Sequence, residues 1–363
     1  MHLILNNIIF SQQKAGGISL LWSEIIKYII NKNIKCLFVE YECAEKNVYR
    51  QQLDINYLVI KKNKYHNIGS LISNIFKIYT RQNYVCLSSD YNLQISKKIA
   101  NVIVVHDFIN ELYEKRIFIK LFKTYIKKRA IIYSDAIICV SENTKKDLIK
   151  IYPRVNQDKV FVVYNCVSSV YTVINKTTPF KNKFPKKNYV LFVGRRNGYK
   201  NFKIVVKALH LYSKISLIIV GGGDLSIEEI NILNSNIGDS RYIHYNGIRG
   251  EELNLLYNNA YALIYPSEYE GFGIPIIEAQ AAGCPVITSY NSSIPEVGGL
   301  GCLYVDNITA DSIYLSLVKL EDTLYRKNLI NLGLLNYTKY SQEKTGSEYI
   351  KICEYVSKLK FNT

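Results

Sequence analysis

The sequence lacks an apolar run long enough to cross a bilayer, so no spanning helix is expected. Its start lacks the basic region and cleavage site of a secretory signal, and the apolar Leu3–Leu5 and Ile8–Phe10 read as a first strand instead. Eight cysteines are present, but none forms a Cys-x2-Cys pair or has a histidine at metal-binding spacing. Cys36, Cys139 and Cys284 sit inside apolar runs, which points to reduced core residues of a cytosolic protein. Internal repeats, low-complexity tracts and base-reading motifs are also missing, and the last absence argues against nucleic acid as a partner. Acidic residues are scarce: 30 Asp and Glu face 46 Lys and Arg, a net charge of +16. Such an imbalance speaks to partners rather than to fold. Nucleic acid, an anionic membrane face and a phosphorylated substrate each fit it, and a genome biased toward Lys, Asn, Ile and the 31 tyrosines accounts for part of it.

What is present is globular. The chain has 363 residues, 48% hydrophobic and 21% charged, which suits two domains. Residues 1–170 read as one α/β half. A strand over 1–10 leads to a polar loop, Ser11–Gly17, and then to an amphipathic helix, Ile18–Ile30, with Leu21, Trp22, Ile25, Ile26 and Ile29 on one side. Gly16 and Gly17 either let a ligand approach the backbone or simply make a turn. Lys35–Glu40, Val102–Val105, Ala136–Val140 and Val160–Tyr164 read as further strands, and Ser141 suits a helix start. Val102–Val105 ends in His106-Asp107. A polar pair at the carboxyl end of a parallel strand points at the ligand crevice of such sheets, although a loop and a helix cap would use the same two residues.

Arg116–Arg129 reads as a basic amphipathic helix, with Ile117, Phe118, Leu121, Phe122 and Tyr125 at helical spacing among lysines and arginines. It either lies on an anionic bilayer or packs its apolar side on the core behind a solvated basic face. Residues 171–187 are a Lys-rich, Pro-containing linker without apolar period. A second α/β half, 188–345, opens with the strand Tyr189–Val193 and the loop Gly194–Lys200, whose Arg195, Arg196 and Lys200 would suit a pyrophosphate. Ser216–Val220 with Gly221–Gly223, then Tyr242–Tyr245 with Asn246–Ile248, continue the rhythm, and residues 310–360 look helical.

The most informative stretch is Tyr265–Thr288. Ala262–Tyr265 reads as a buried strand stopped by Pro266. Gly271 and Gly273 permit a tight turn, Pro275 suits the first turn of a helix, and Gly283 with Pro285 ends that helix before Val286–Ser289 resumes as a strand. A helix start behind a glycine turn offers unpaired amides and a dipole that favours anions. Glu270 and Glu278 frame that start, and carboxylates there suit hydroxyl groups rather than phosphate. The pattern describes a pocket for a phosphorylated sugar or a nucleotide, while the bland alternative is two glutamates in a helix's first turns.

The string Glu270-Gly-Phe-Gly-Ile-Pro-Ile-Ile-Glu278, with Tyr265-Pro-Ser267 before it and Gly283-Cys-Pro-Val286 after it, resembles the Glu-x7-Glu signature of the retaining glycosyltransferases of family 4, also called group 1. The resemblance is strong after Tyr189 and looser before it. It implies an α/β protein of GT-B architecture: two doubly wound Rossmann-like domains facing across a cleft, with a C-terminal helix, about 346–363, packing back on the first. The acceptor would bind the first domain and the nucleotide sugar the second. Glu270, His106, Arg196 and Lys200 would be catalytic. Gly16, Gly17, Arg195, Ile248, Phe272, Gly273, Ile274 and Glu278 would bind the donor. The expected reaction needs no metal or other cofactor: a hexose moves with retention from a GDP- or UDP-linked donor to a glycan or lipid-linked acceptor in bacterial surface polysaccharide synthesis. The expected location is cytoplasmic, peripheral on the inner membrane face if the basic helix binds it. A non-transferring sugar-nucleotide protein, an epimerase or a degenerate binding subunit, would keep the pocket without the transfer.

Overall fold

The computed structural model describes residues 1–55, 59–62, 82–174, 188–196 and 198–361, with backbone alone at 60–62. Most of the expected linker, 175–187, lies outside the described residues. Two compact units emerge. One comprises Met1–Cys166 and Ser341–Thr363, and the other Val167–Tyr340.

Among its described residues the first unit holds seven strands: β1 (Leu3–Asn6), β2 (Cys36–Tyr41), β3 (Val59–Lys62), β4 (Tyr84–Ser88), β5 (Ile99–Val105), β6 (Ala136–Cys139) and β7 (Val160–Val162). They form one sheet in the order β3-β2-β1-β4-β5-β6-β7. Every neighbouring pair is parallel. Runs such as Ile99–Val105, buried at every position, are what a sheet covered on both faces requires. The sequence pattern did not single out β4, which completes the centre of this sheet. The terminal helix, Gln342–Phe361, belongs to this unit. Gln342 Nε2 donates to the Glu24 carbonyl and to Glu24 Oε2 at 2.9 and 2.8 Å, and Lys360 Nζ donates to the Ile99 carbonyl and to Asp135 Oδ2, both at 2.9 Å. Gly346 lets the helix approach Gly17–Asn31 closely, because a Cβ there would collide with the Tyr28 ring.

The basic helix spans Ile117–Tyr133. Its inward face is Lys127, Ala130 and Ile131, whereas Ile117, Phe118, Leu121 and Tyr125 point outward, Phe118 being 84% exposed. The reading in which the apolar side packs on the core is therefore not what this helix does. Nor does its basic face stay wholly in solvent, since Lys127 is buried.

The second unit holds β8 (Tyr189–Val193), β9 (Ser216–Val220), β10 (Tyr242–Tyr245), β11 (Ala262–Tyr265), β12 (Val286–Ser289) and β13 (Leu303–Val305). The order is β10-β9-β8-β11-β12-β13, again parallel throughout. Its core gathers Val190, Phe192, Phe202, Val205, Ile219 and Ile264 with the helices that cover them. Each sheet reverses its winding once, between β1 and β4 in the first and between β8 and β11 in the second. Open α/β sheets bind ligands at the carboxyl ends of the strands that flank such a reversal.

Candidate active site

In the second unit, the two loops that leave β8 and β11 are knitted together. Glu268 N donates to the Tyr199 carbonyl at 2.8 Å. Asn201 Nδ2 reaches the Pro266 carbonyl at 3.0 Å and Glu268 Oε1 at 3.2 Å. Gly194 leaves β8 with φ +116°, a conformation that favours glycine. The chain then turns through Gly198–Lys200 and enters the helix Phe202–Leu211.

This turn carries Lys200 onto Glu270. Lys200 Nζ donates to Glu270 Oε1 at 2.7 Å and to the Tyr265 hydroxyl at 3.1 Å, and it stands 4.9 Å from the centroid of the Tyr265 ring. The two side chains are 11% and 10% exposed. Two partly desolvated opposite charges thus satisfy each other at the switch point of the sheet. The loop after β12 fixes the bend that bears Glu270. Glu270 N donates to Ser292 Oγ at 2.9 Å, and Ser293 Oγ donates to the carbonyls of Glu270 at 2.8 Å and Phe272 at 3.1 Å.

Beyond the bend, Gly273 takes φ +100° and the helix Ile274–Ala281 begins without a side-chain cap. Pro275 lies in its first turn and brings no N–H. The positive end of the helix therefore adjoins the Lys200–Glu270 pair through Phe272, Gly273 and Ile274, an arrangement suited to an anion. Glu278 lies one turn further on and is buried, accepting from the Tyr257 hydroxyl at 3.1 Å. Burial pushes its carboxyl up from 4.5 to about 7, against the opposing pull of the Tyr257 and Tyr171 hydroxyls.

The resemblance makes Arg196 catalytic, and in this structure its guanidinium is turned to the glycine loop after β9. Nε donates to Glu229 Oε1 at 2.8 Å and Nη1 to the Gly221 carbonyl at 2.7 Å. Nη2 donates to the carbonyls of Gly222, Gly223 and Asp224 at 3.3, 3.0 and 2.9 Å. Its side chain is 3% exposed. The three glycines have φ from +76° to +81°, and a Cβ on Gly222 would press on Arg196. Arg196 anchors the glycine loop, whereas its neighbour Arg195 is exposed. Ile248 follows Gly247 on the same carboxyl edge and is half-buried, between β10 and the helix Gly250–Asn259.

The remaining candidates lie in the first unit. Gly16 precedes the helix Gly17–Asn31, and a Cβ on Gly16 would press on the Gln13 side chain. His106 follows β5, its Nε2 3.3 Å from the Ser89 carbonyl at the end of β4. Burial lowers the His106 pKa, opposed by the Asp107 carboxylate, so the ring leans toward its neutral form. Asp107 Oδ1 accepts from Ile109 N at 3.0 Å, a local turn ahead of the short helix Ile109–Tyr113, whose N-cap is Phe108. Sequence reasoning missed Tyr265, Tyr257, Ser292 and Ser293 as partners. Tyr265 lay inside the motif but read as a strand residue, and the serines carry no local signal.

Among the described residues, no helix is long and apolar enough to cross a membrane, and no group of three or more His, Cys, Asp or Glu comes together as a metal site. Residues 174–313 match the family model described as glycosyl transferases group 1. The chain is 32% identical over 234 residues to the O-antigen chain mannosyltransferase RfbU of Salmonella typhimurium, covering 62% of this chain and 63% of that protein. It is 28% identical over 229 residues to the O-antigen chain mannosyltransferase B of Escherichia coli, covering 59% of each. The matched stretches thus span about three fifths of these relatives' length. Among solved structures, that of WaaG, a glycosyltransferase involved in lipopolysaccharide biosynthesis, superposes with a TM-score of 0.71 at 14% identity, over 97% of this chain and 99% of that one. At that identity the likeness speaks for the fold, which is GT-B. The stretch similar to the group 1 glycosyl transferases, 174–313, lies in the unit that carries the Lys200–Glu270 pair.

Proposed function

We propose that the protein is a retaining glycosyltransferase that moves a hexose from a GDP- or UDP-linked donor to a hydroxyl of a glycan or lipid-linked acceptor, in bacterial surface polysaccharide synthesis. The mannosyltransferase names of the two relatives favour mannose. The observation that carries this reading is the Lys200–Glu270 ion pair beside an uncapped helix start at the switch point of a parallel sheet.

The chemistry follows from where charge develops. As the bond from the anomeric carbon to phosphate breaks, negative charge collects on the diphosphate and positive charge on the sugar ring. Lys200, the exposed Arg195 and the amides of Phe272–Ile274 stabilise the leaving group without a metal. A diphosphate at Lys200 takes over part of its bond to Glu270, which frees that carboxylate for the sugar hydroxyls near the cationic centre. Glu278 accepts from the ribose hydroxyls. The resemblance assigns His106 to the donor sugar. The acceptor oxygen attacks on the face the phosphate leaves, and that phosphate takes the acceptor proton, which accounts for retention.

The first unit adds a surface to this reading. The outward Ile117, Phe118, Leu121 and Tyr125, with Lys120, Lys123 and Lys128 on the same helix, suit an anionic bilayer carrying a lipid-linked acceptor. Transfer measured against a panel of GDP- and UDP-sugars tests the proposal. Incorporation from at least one donor is expected, and binding of donors without transfer from any would contradict it.

A further inference from the structure

The Ile117–Tyr133 helix carries one lysine that faces inward. Lys127 Nζ donates to the Asp107 carbonyl at 2.9 Å and to Glu111 Oε2 at 2.7 Å. It stands 4.6 Å from the centroid of the Phe108 ring and 5.3 Å from that of Tyr91. The side chains of Lys127 and Glu111 are 1% and 8% exposed. A buried ammonium is costly unless such partners surround it, so these contacts select one arrangement of the segments that supply them.

Two of those segments hold His106. Asp107 and Phe108 follow it directly in the chain. Tyr91 lies two residues beyond Ser89, whose carbonyl is 3.3 Å from His106 Nε2. The Asp107 turn is gripped on both sides: its carboxylate accepts from Ile109 N, and its carbonyl accepts from Lys127. The ion pair with Glu111 alone would tie the helix to its neighbour. The added bond to the main chain next to His106 does more than that.

We propose that Lys127 is a positioning residue for His106: by holding the Asp107 carbonyl it sets the turn that aims the imidazole, and it makes the Ile117–Tyr133 helix the support of that side chain. The inference rests on the reading of His106 as a donor-sugar contact. It also joins the surface proposed for the bilayer to a group of the reaction, through one buried cation.

The test compares the wild type with Lys127→Arg, with Lys127→Met combined with Glu111→Gln, and with His106→Ala. The double variant leaves no uncompensated buried charge, and its melting curve checks its fold. The readouts are kcat, the donor KM, and the imidazole resonances of the five histidines, with His106 identified by its loss in His106→Ala. The folded double variant is expected to lose about tenfold or more in kcat, keep its donor KM within about twofold, and show a displaced His106 resonance. Lys127→Arg keeps the charge but moves the donor atoms, and is expected to fall between the two. Wild-type kcat with an unmoved His106 resonance, in the double variant or in Lys127→Arg, overturns the proposal. Wild-type turnover in His106→Ala overturns the donor-sugar reading instead, and the resonance then still reports whether Lys127 places the ring.

Discussion

The two units solve the same problem of exposing chemistry at a sheet edge, and they do so in different ways. In the second, the groups proposed to react lie in two adjacent loops at the sheet's reversal, and Lys200 and Glu270 meet directly at 2.7 Å. In the first, His106 sits on a single turn whose next carbonyl, that of Asp107, accepts from a lysine 21 residues after His106, on the Ile117–Tyr133 helix. The bend that bears Glu270 concentrates its signal in one short string, although its partner Lys200 lies 70 residues away. The turn at His106 and its lysine are only 20 residues apart, from Asp107 to Lys127, but no proline or glycine string marks them. The family match accordingly covers 174–313 and leaves the first unit out.

The largest effect that sharpens this contrast is expected at the compact site. Lys200→Ala should lower turnover by about 10²–10³-fold, the usual cost of removing one preorganised donor from a developing anion. Circular dichroism should remain that of the wild type. Turnover close to wild type would remove Lys200 from the chemistry.

Next comes Arg196, whose guanidinium holds the glycine loop and Glu229. Arg196→Met leaves Glu229 and several loop carbonyls without their donor and should destabilise the second unit by about 3 kcal/mol. Urea unfolding checks it. The contrast lies with Arg195→Ala, for which stability should hold while donor affinity falls by about tenfold, or about 1.4 kcal/mol. Equal loss of affinity with intact stability in both variants would undo the assignment.

The buried Glu278 gives a pH signature. Its folded pKa is raised from 4.5 to about 7, so the folded state keeps this proton where the unfolded state has lost it. The contribution is fully present below about 4.5 and is lost as pH rises to about 7. Wild-type thermal stability should therefore fall across that window by more than that of Glu278→Gln. Parallel curves for the two proteins would contradict the burial argument.

A smaller effect is expected in the first unit. Gly346→Ala would push a Cβ into the Tyr28 ring and should cost about 1–2 kcal/mol, seen as a lower melting temperature. An unchanged melting point would mean the terminal helix does not depend on that approach.

Much of the second site was readable in the sequence because its physics is local. Proline and glycine at fixed offsets dictate strand, bend and helix start from Pro266 to Gly283, and Glu270 and Glu278 fall where that bend places them. The orientation of Arg196 was hidden because nothing in the string tells which of two adjacent arginines turns toward the loop after β9. That choice is made by Glu229 and four carbonyls more than 20 residues away. Glu278's tyrosine partner and the serines that hold the bend were hidden for the same reason. In the first unit, helical spacing gave a helix over Arg116–Arg129, observed as Ile117–Tyr133, but not its orientation. Periodicity marks an apolar face without saying whether core or solvent meets it, and Lys127 reads as one more surface lysine until its neighbours are seen.

The most direct measurement is calorimetric titration of GDP and UDP into the wild type and into Lys200→Met. The account predicts that the wild type binds at least one of them and that the variant binds it at least about tenfold more weakly. A folded Lys200→Met protein that binds the same nucleotide as tightly as the wild type would contradict it.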